Sequence, residues 1–302
     1  MGTLPTDQVE AYRELGYLVV PGVLGPDLLT QLRAVTDEFT TQGTADPDPV
    51  IHDVGDVDGT PYVRRIKSPH RHHPFFDGLV RDTGVLDVVE DLIGGDIRLY
   101  GTKINLKLPG GTGDAIDWHQ DWAFYPHTND DIVAVGILLD DMTSDNGPLL
   151  AVPGSHRGPV YSHQSDDGYF CGALDHRRLR PSLESCAVLT APAGSITLHH
   201  VRTIHASGPN LSDSPRRVLF HNYAAANAWP LVGCGSPGDR KLCPGGEYDS
   251  YLGHLVRGTH RHPRLVSVPV RLPLPAAADS RSVFTTQAGK ANSYFAGAGA
   301  TA

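Results

Sequence analysis

Three stretches in the first third of the chain repeat apolar residues at helical spacing, and everything after them alternates at the shorter period of strands. "TDQVEAYRELG" reads as a short helix, with Asp7 and Glu10 placed for a capping box and Gly16 as its stop. "YLVVPG" follows as a strand. In "GPDLLTQLRAVTDEF", Pro26 stands at a helix start and Leu28, Leu32, Val35 and Phe39 fall on one face. "TGVLDVVEDLIGG" repeats the pattern with Leu86, Val89 and Leu92 or Ile93 ahead of Gly94-Gly95.

From Asp96 onward the texture is of short β-rich runs between turns: "IRLYGTKINLKL", "DIVAVGILLDD", "PLLAVPGSH", "CAVLTAPAGSITLHH", "RVLFHNYAA" and "LVSVPVRL". With no long helix between them, these runs predict a mainly β fold, an antiparallel barrel or double sheet flanked by the early helices. The expected organisation is one domain. It has a mostly helical flank over 1–95, a core with the site over 96–225, an insertion and last strand over 226–275, and a tail over 276–302. Residues 227–262 read as an irregular insertion able to cover a site, and the tail as poorly ordered or draped over the body.

Composition narrows the partners. A formal charge of −9 over 302 residues disfavours nucleic acid, which calls for a positive field, and leaves a small molecule as the expected partner. No run is long and apolar enough to predict a membrane span, and the N-terminal residues lack a basic-then-apolar signal, so the expected location is cytoplasmic. Four cysteines without a CxxC spacing read as reduced thiols.

Among 16 histidines, position must select the chemistry. In "DWHQDW", His119 and Asp121 stand at i and i+2, the same face of a strand, where one metal could take a nitrogen and an oxygen. Alone, the pair matches the wet face of a solvated strand equally well. In "TIHASGPNLSDSPRR", His205 would complete two histidines and a carboxylate, the facial set of non-haem Fe(II) oxygen chemistry. Arg216 then offers a guanidinium fork for the far carboxylate of 2-oxoglutarate; its other reading is a surface arginine beside Arg217.

His199-His200 competes with His205, but adjacent strand residues face opposite ways, so at most one points inward. His205 is preferred because a serine and an arginine follow in register. His156, between turn signals, reads as structural or as a rim residue. "SPHRHHPFF" reads as a proline-bounded loop without ligand spacing. Trp118, Trp122, Phe124 and Tyr125 either wall a cavity or are plain core, and Lys103, Lys107, Arg202 and His221 could each meet a carboxylate.

"INLKLPGGTGDAIDWHQD", "DNGPLLAVPGSHRG" and "HASGPNLSDSPRR" together resemble the phytanoyl-CoA dioxygenase family of Fe(II)/2-oxoglutarate oxygenases, in a pattern close to that of ectoine hydroxylase. The resemblance implies a double-stranded β-helix, the jelly roll of cupin-like cores. It implies iron at His119, Asp121 and His205, a 2-oxoglutarate salt bridge at Arg216, and further 2-oxoglutarate contacts at Asn105 and Ser207. The implied reaction consumes O2 and 2-oxoglutarate, oxidises an unactivated C–H of an amino acid or secondary metabolite, and releases succinate and CO2. Asp121 favours hydroxylation, desaturation or ring formation over halogenation, since related halogenases lack that carboxylate. Two rivals stay open at this stage: a cupin-like isomerase or hydrolase with another metal, and a non-catalytic binding protein on the same fold.

Overall fold

The β-rich part of the chain forms two antiparallel sheets facing each other across a cavity, with the early helices on the outer face of the larger sheet. The computed structural model describes residues 3–111, 115–177, 179, 181–232, 254–276, 282–288 and 293–295. In chain order the helices are α1 (Thr6–Leu15), α2 (Pro26–Ala45), α3 (Pro74–Leu79), α4 (Thr83–Ile93) and α5 (Val283–Ala288). The strands are β1 (Tyr17–Val20), β2 (His52–Val57), β3 (Thr60–Lys67), β4 (Ile97–Lys107), β5 (Ile116–His119), β6 (Ile132–Leu138), β7 (Leu149–Ala151), β8 (Ala187–Leu189), β9 (Ile196–His200), β10 (His205–Ser207), β11 (Arg216–Ala225) and β12 (Leu255–Arg257). The larger sheet runs β1-β9-β6-β11-β4-β3-β2, with β12 also on β4, and the smaller runs β5-β10-β7-β8. This is the expected jelly roll with helices outside one sheet.

Alternation along the central strands separates core from chemistry. On β6, β9 and β11, Val133, Val135, Ile137, Ile196, Leu198 and Leu219 point outward into one core with Leu32, Val85, Leu86 and Val89 of α2 and α4. The intervening positions Thr197, His199, Arg216, Val218 and Phe220 point inward, as do Lys103 and Asn105 on β4. A one-residue slip in any of these strands would exchange the two sets, so the apolar face fixes which side chains reach the cavity.

Several expectations are corrected. The first helix starts after Pro5 with no side-chain cap, so the Asp7–Glu10 capping box does not form; Gly16 does end it, at φ 82°. "SPHRHHPFF" is not wholly loop: Pro74 opens α3, and the His73 ring accepts from the backbone N–H of Phe75. The flank is less helical than expected, because β1 joins β9 and the hairpin β2–β3 extends the larger sheet. A signal for that hairpin was present: Asp58-Gly59 forms its two-residue turn, both with positive φ. "LVSVPVRL" forms no strand, since Pro263, Pro269, Pro273 and Pro275 remove the donors that a ladder needs. The insertion divides: β12 pairs with the start of β4, while residues 233–253, with Cys234 and Cys243, lie outside the described residues. Described parts of the tail are packed, with Gln287 accepting from Asp117 N–H at 2.9 Å and donating to Gly172 O at 2.7 Å. No helix among the described residues is long and apolar enough to cross a membrane.

Candidate metal centre

His119 ends β5, Asp121 begins the short 3-10 turn that follows, and His205 begins β10, directly opposite His119 in the ladder. Antiparallel pairing therefore brings together residues far apart in sequence, with the two imidazole rings 4.1 Å apart. Nε2 of His119 lies 3.6 Å and Nε2 of His205 lies 4.0 Å from Asp121 Oδ1. One ligand atom from each of the three falls within 4.8 Å of the others. All three residues are buried.

The imidazoles are already oriented for a metal. Nδ1–H of His119 donates to Asp117 O at 2.7 Å, and Nδ1–H of His205 donates to Thr203 O at 2.9 Å, which leaves both Nε2 lone pairs facing the carboxylate. Burial, reinforced by the His119 and His199 rings, pushes the His205 imidazole well below its ordinary range, so it is neutral. Burial alone would push the Asp121 carboxyl up. The nearby His119 and His199 rings and the Lys103 ammonium hold it well below the usual carboxylate range instead. Two imidazole nitrogens and one carboxylate suit a divalent iron of the facial type, and the residues present fit it.

Gln120, between the two ligands, is wholly buried and fixes the turn. Its side chain donates to Pro159 O and Arg202 O and accepts from Tyr161 N–H at 3.0 Å. Neither Gln120 nor its neighbour His163 stood out in the sequence, because their role is a set of contacts with a distant loop.

Arg216 is buried at the other end of the cavity. Its guanidinium donates to the carbonyls of Asn146 and Gly147 and, at 2.9 Å, to Ser207 Oγ. Lys107 Nζ donates to the same hydroxyl at 2.7 Å. Burial pushes the Arg216 guanidinium down to about 10, which leaves it charged at neutral pH. The surface reading of Arg216 is therefore wrong; Arg217, on the other face, pairs with Asp140 and Asp37. The "DNG" turn borders the site. Its Gly147 (φ 74°) has room for no side chain, since a Cβ would lie 2.6 Å from Gly208 O, and its carbonyl accepts from both Arg216 and Ser207. Asn105 Oδ1 accepts from Arg65 Nε at 2.9 Å, and Arg65 lies 5.1 Å under the Phe284 ring of α5. Arg65 carries no signal in the sequence, because its place at the cavity depends on the pairing of β3 with β4.

The cavity encloses ≈ 530 Å³, mouth included, and brings together His119, Asp121, His205, Arg216, Ser207, Asn105 and Lys103. Other candidates are placed elsewhere. Trp118 packs with Leu174, Ile204 and Tyr294, and Trp122 packs with Tyr125 and Val160 while donating to Pro269 O, so both belong to the barrel wall. Phe124 meets His119 edge-on at 5.6 Å. His221 faces away from the cavity, bonded to the Tyr223 hydroxyl, and Arg202 pairs with Asp130. His156 is structural, held against Arg13 O at 3.1 Å. Of the histidine pair, His199 points in and His200 out.

Comparison with known proteins agrees with this geometry. The profile of the phytanoyl-CoA dioxygenase family matches residues 12–218. A probable alpha-ketoglutarate-dependent hypophosphite dioxygenase of Stutzerimonas stutzeri is 41% identical over 240 residues, covering 78% of this chain and 79% of that protein. An L-proline trans-4-hydroxylase of Streptomyces griseoviridis is 28% identical, covering 70% of this chain and 83% of its own. The solved structure of EctD from S. alaskensis with bound Fe superposes with a TM-score of 0.63 at 23% identity, over 74% of this chain and 78% of that one. The chain belongs to the phytanoyl-CoA dioxygenase family and is a non-haem iron dioxygenase dependent on 2-oxoglutarate.

Proposed function

We propose that His119, Asp121 and His205 hold Fe(II), that Arg216 with Ser207 and Asn105 holds 2-oxoglutarate, and that the enzyme oxidises a compact small molecule beside them. Bound iron supplies O2 activation, one oxygen atom entering the substrate and the other succinate as 2-oxoglutarate loses CO2. The observation that carries the reading is the buried Arg216 fork, on the same cavity as the three ligands. A cupin-like isomerase or hydrolase, or a binding protein, would not need that guanidinium.

The protein's own contribution is orientation. The carbonyls of Asn146 and Gly147 hold the Arg216 guanidinium in place through Nε and Nη2, which leaves Nη1 to meet a carboxylate. Asn105, steadied by Arg65, offers its amide to the same molecule. Phe284 and Phe124 help to keep water from the reacting centre. One cavity that must hold two molecules at once leaves room only for a small substrate. Hypophosphite, named for the Stutzerimonas relative, is the first substrate to test, ahead of amino acids and secondary metabolites.

A cytoplasmic location is part of this proposal, in keeping with four cysteines that show no paired spacing. The decisive experiment is anaerobic titration of Fe(II) and 2-oxoglutarate into the purified protein. A visible charge-transfer band is expected, with iron binding lost in His119→Ala. Absence of the band together with retained iron binding in the variant would refute the assignment.

A further inference from the structure

Across the larger sheet, the inward side chains stand in rows. Arg216 is opposite Lys107, then Val218 opposite Asn105, then Phe220 opposite Lys103. The last row continues through Gly136 of β6 to Thr197 of β9, and His199 stands one step beyond it. Four strand residues separate the first row from the third, about 13 Å. Lys103 therefore stands away from the Arg216 end of the cavity, and it shares the Phe220 ring with His199, its Nζ 5.5 Å and the imidazole 6.5 Å from the ring centre.

Lys103 and His199 are both left without a role by the 2-oxoglutarate site. Lys103 lines the cavity, and among the described residues no hydrogen bond or ion pair engages its ammonium; its contact is the Phe220 ring, with Nζ 5.5 Å from the centroid. Burial pushes its amine down to about 8, the mark of a cation short of counter-charge. His199 is 2% exposed, and neither of its ring nitrogens has a hydrogen-bond partner. Its Nε2 stands 3.5 Å from Asp121 Oδ2, too poorly aligned to bond, and its ring lies 4.3 Å from that of His205. An unsatisfied buried donor beside an unpaired cation is expensive unless a ligand completes both.

Charge points the same way. Among the cavity's lining residues the charged groups are Lys103, Arg216 and Asp121. A divalent metal and the doubly negative 2-oxoglutarate cancel each other, and Asp121 cancels one cation. At least one positive charge remains, with Lys107 and Arg65 standing just behind the lining, so the free part of the cavity favours an anion. Between His199 and Phe220, strand β6 presents Ala134 and Gly136, which keep that part of the wall shallow.

We infer that Lys103 and His199 form the substrate subsite, and that the substrate they take is a small oxyanion with an oxygen on each group. This rests on the iron and 2-oxoglutarate sites proposed above. The opposed arrangement seats the two anions at opposite ends of one cavity, with the metal ligands alongside.

The test is anaerobic titration of hypophosphite, and separately of acetate, into the wild-type Fe(II)–2-oxoglutarate complex, followed by the visible band and by calorimetry. At least one of the two anions is expected to bind and shift the band. Lys103→Met and His199→Phe should each weaken that binding ~10-fold or more, Lys103→Arg should restore it, and each variant should still bind iron and 2-oxoglutarate and show the band. The inference is overturned if neither anion binds a complex that shows the band, if Lys103→Met weakens 2-oxoglutarate instead, or if His199→Phe abolishes iron binding. A wild-type protein without the band would refute the iron and 2-oxoglutarate reading itself.

Discussion

The backbone N–H of Gln120 donates to Nε2 of His163 at 2.9 Å, while Nδ1–H of His163 donates to Tyr161 O at 3.0 Å. One neutral imidazole thus ties the residue between the two metal ligands to a loop more than 40 positions away. His163→Phe keeps the bulk and removes the acceptor. It is expected to lower Fe(II) affinity about 10-fold or more, as loss of an outer partner of a metal site does, and to lower the melting temperature. Anaerobic iron titration and thermal unfolding check both effects.

The same histidine gives the protein an acid limit. Burial pushes His163 and His221 down to about 3 and His127 down to about 4. Between those values and the unfolded value near 6.5, the unfolded chain binds protons that the folded one does not, so stability falls as pH falls. At pH 5 each contributes a loss of about 2 kcal/mol, together a large part of a typical domain's stability. Circular dichroism across pH 7 to 4 should show unfolding near pH 5. A protein stable to pH 3.5 would contradict this.

Arg216→Ala removes one partner of a buried charge-assisted contact, and about 3 kcal/mol, roughly 100-fold in the Kd of 2-oxoglutarate, is the expected loss. Arg216→Lys keeps the charge without the fork and should recover only part of it. Calorimetry with Fe(II) present separates this from any loss of metal.

Gly136 stands where the third inward row crosses β6. A Cβ there would lie 2.7 Å from Thr197 Oγ1 and 3.1 Å from the Phe220 ring. Gly136→Ala is therefore expected to destabilise by about 1–3 kcal/mol through overpacking. It should also raise the KM for substrate by displacing Phe220 from under Lys103, with little change in 2-oxoglutarate binding. Equal loss of both would place Gly136 in the general packing only.

Local order in the sequence settled much of this molecule. The 3.6-residue spacing in α1, α2 and α4 and the alternation in β4, β6, β9 and β11 were legible because each element buries one continuous apolar face. The spacing of His119 and Asp121 pointed to a ligand pair, although Asp121 stands in the 3-10 turn after β5 and not on the strand face, and His205 and Arg216 followed from a pattern of residues that each favour one chemistry. Where neighbours rather than spacing decide, the sequence was silent. The polar hairpin β2–β3 is held by pairing with β4, and the packed tail by contacts such as that of Gln287 with Asp117. Only the tertiary structure sorted Lys103 into the cavity and His221 out of it, because alternate residues of paired strands face opposite ways. It alone showed Arg65, Gln120 and His163 at work, since a buried donor or cation is defined by the partner that the fold supplies.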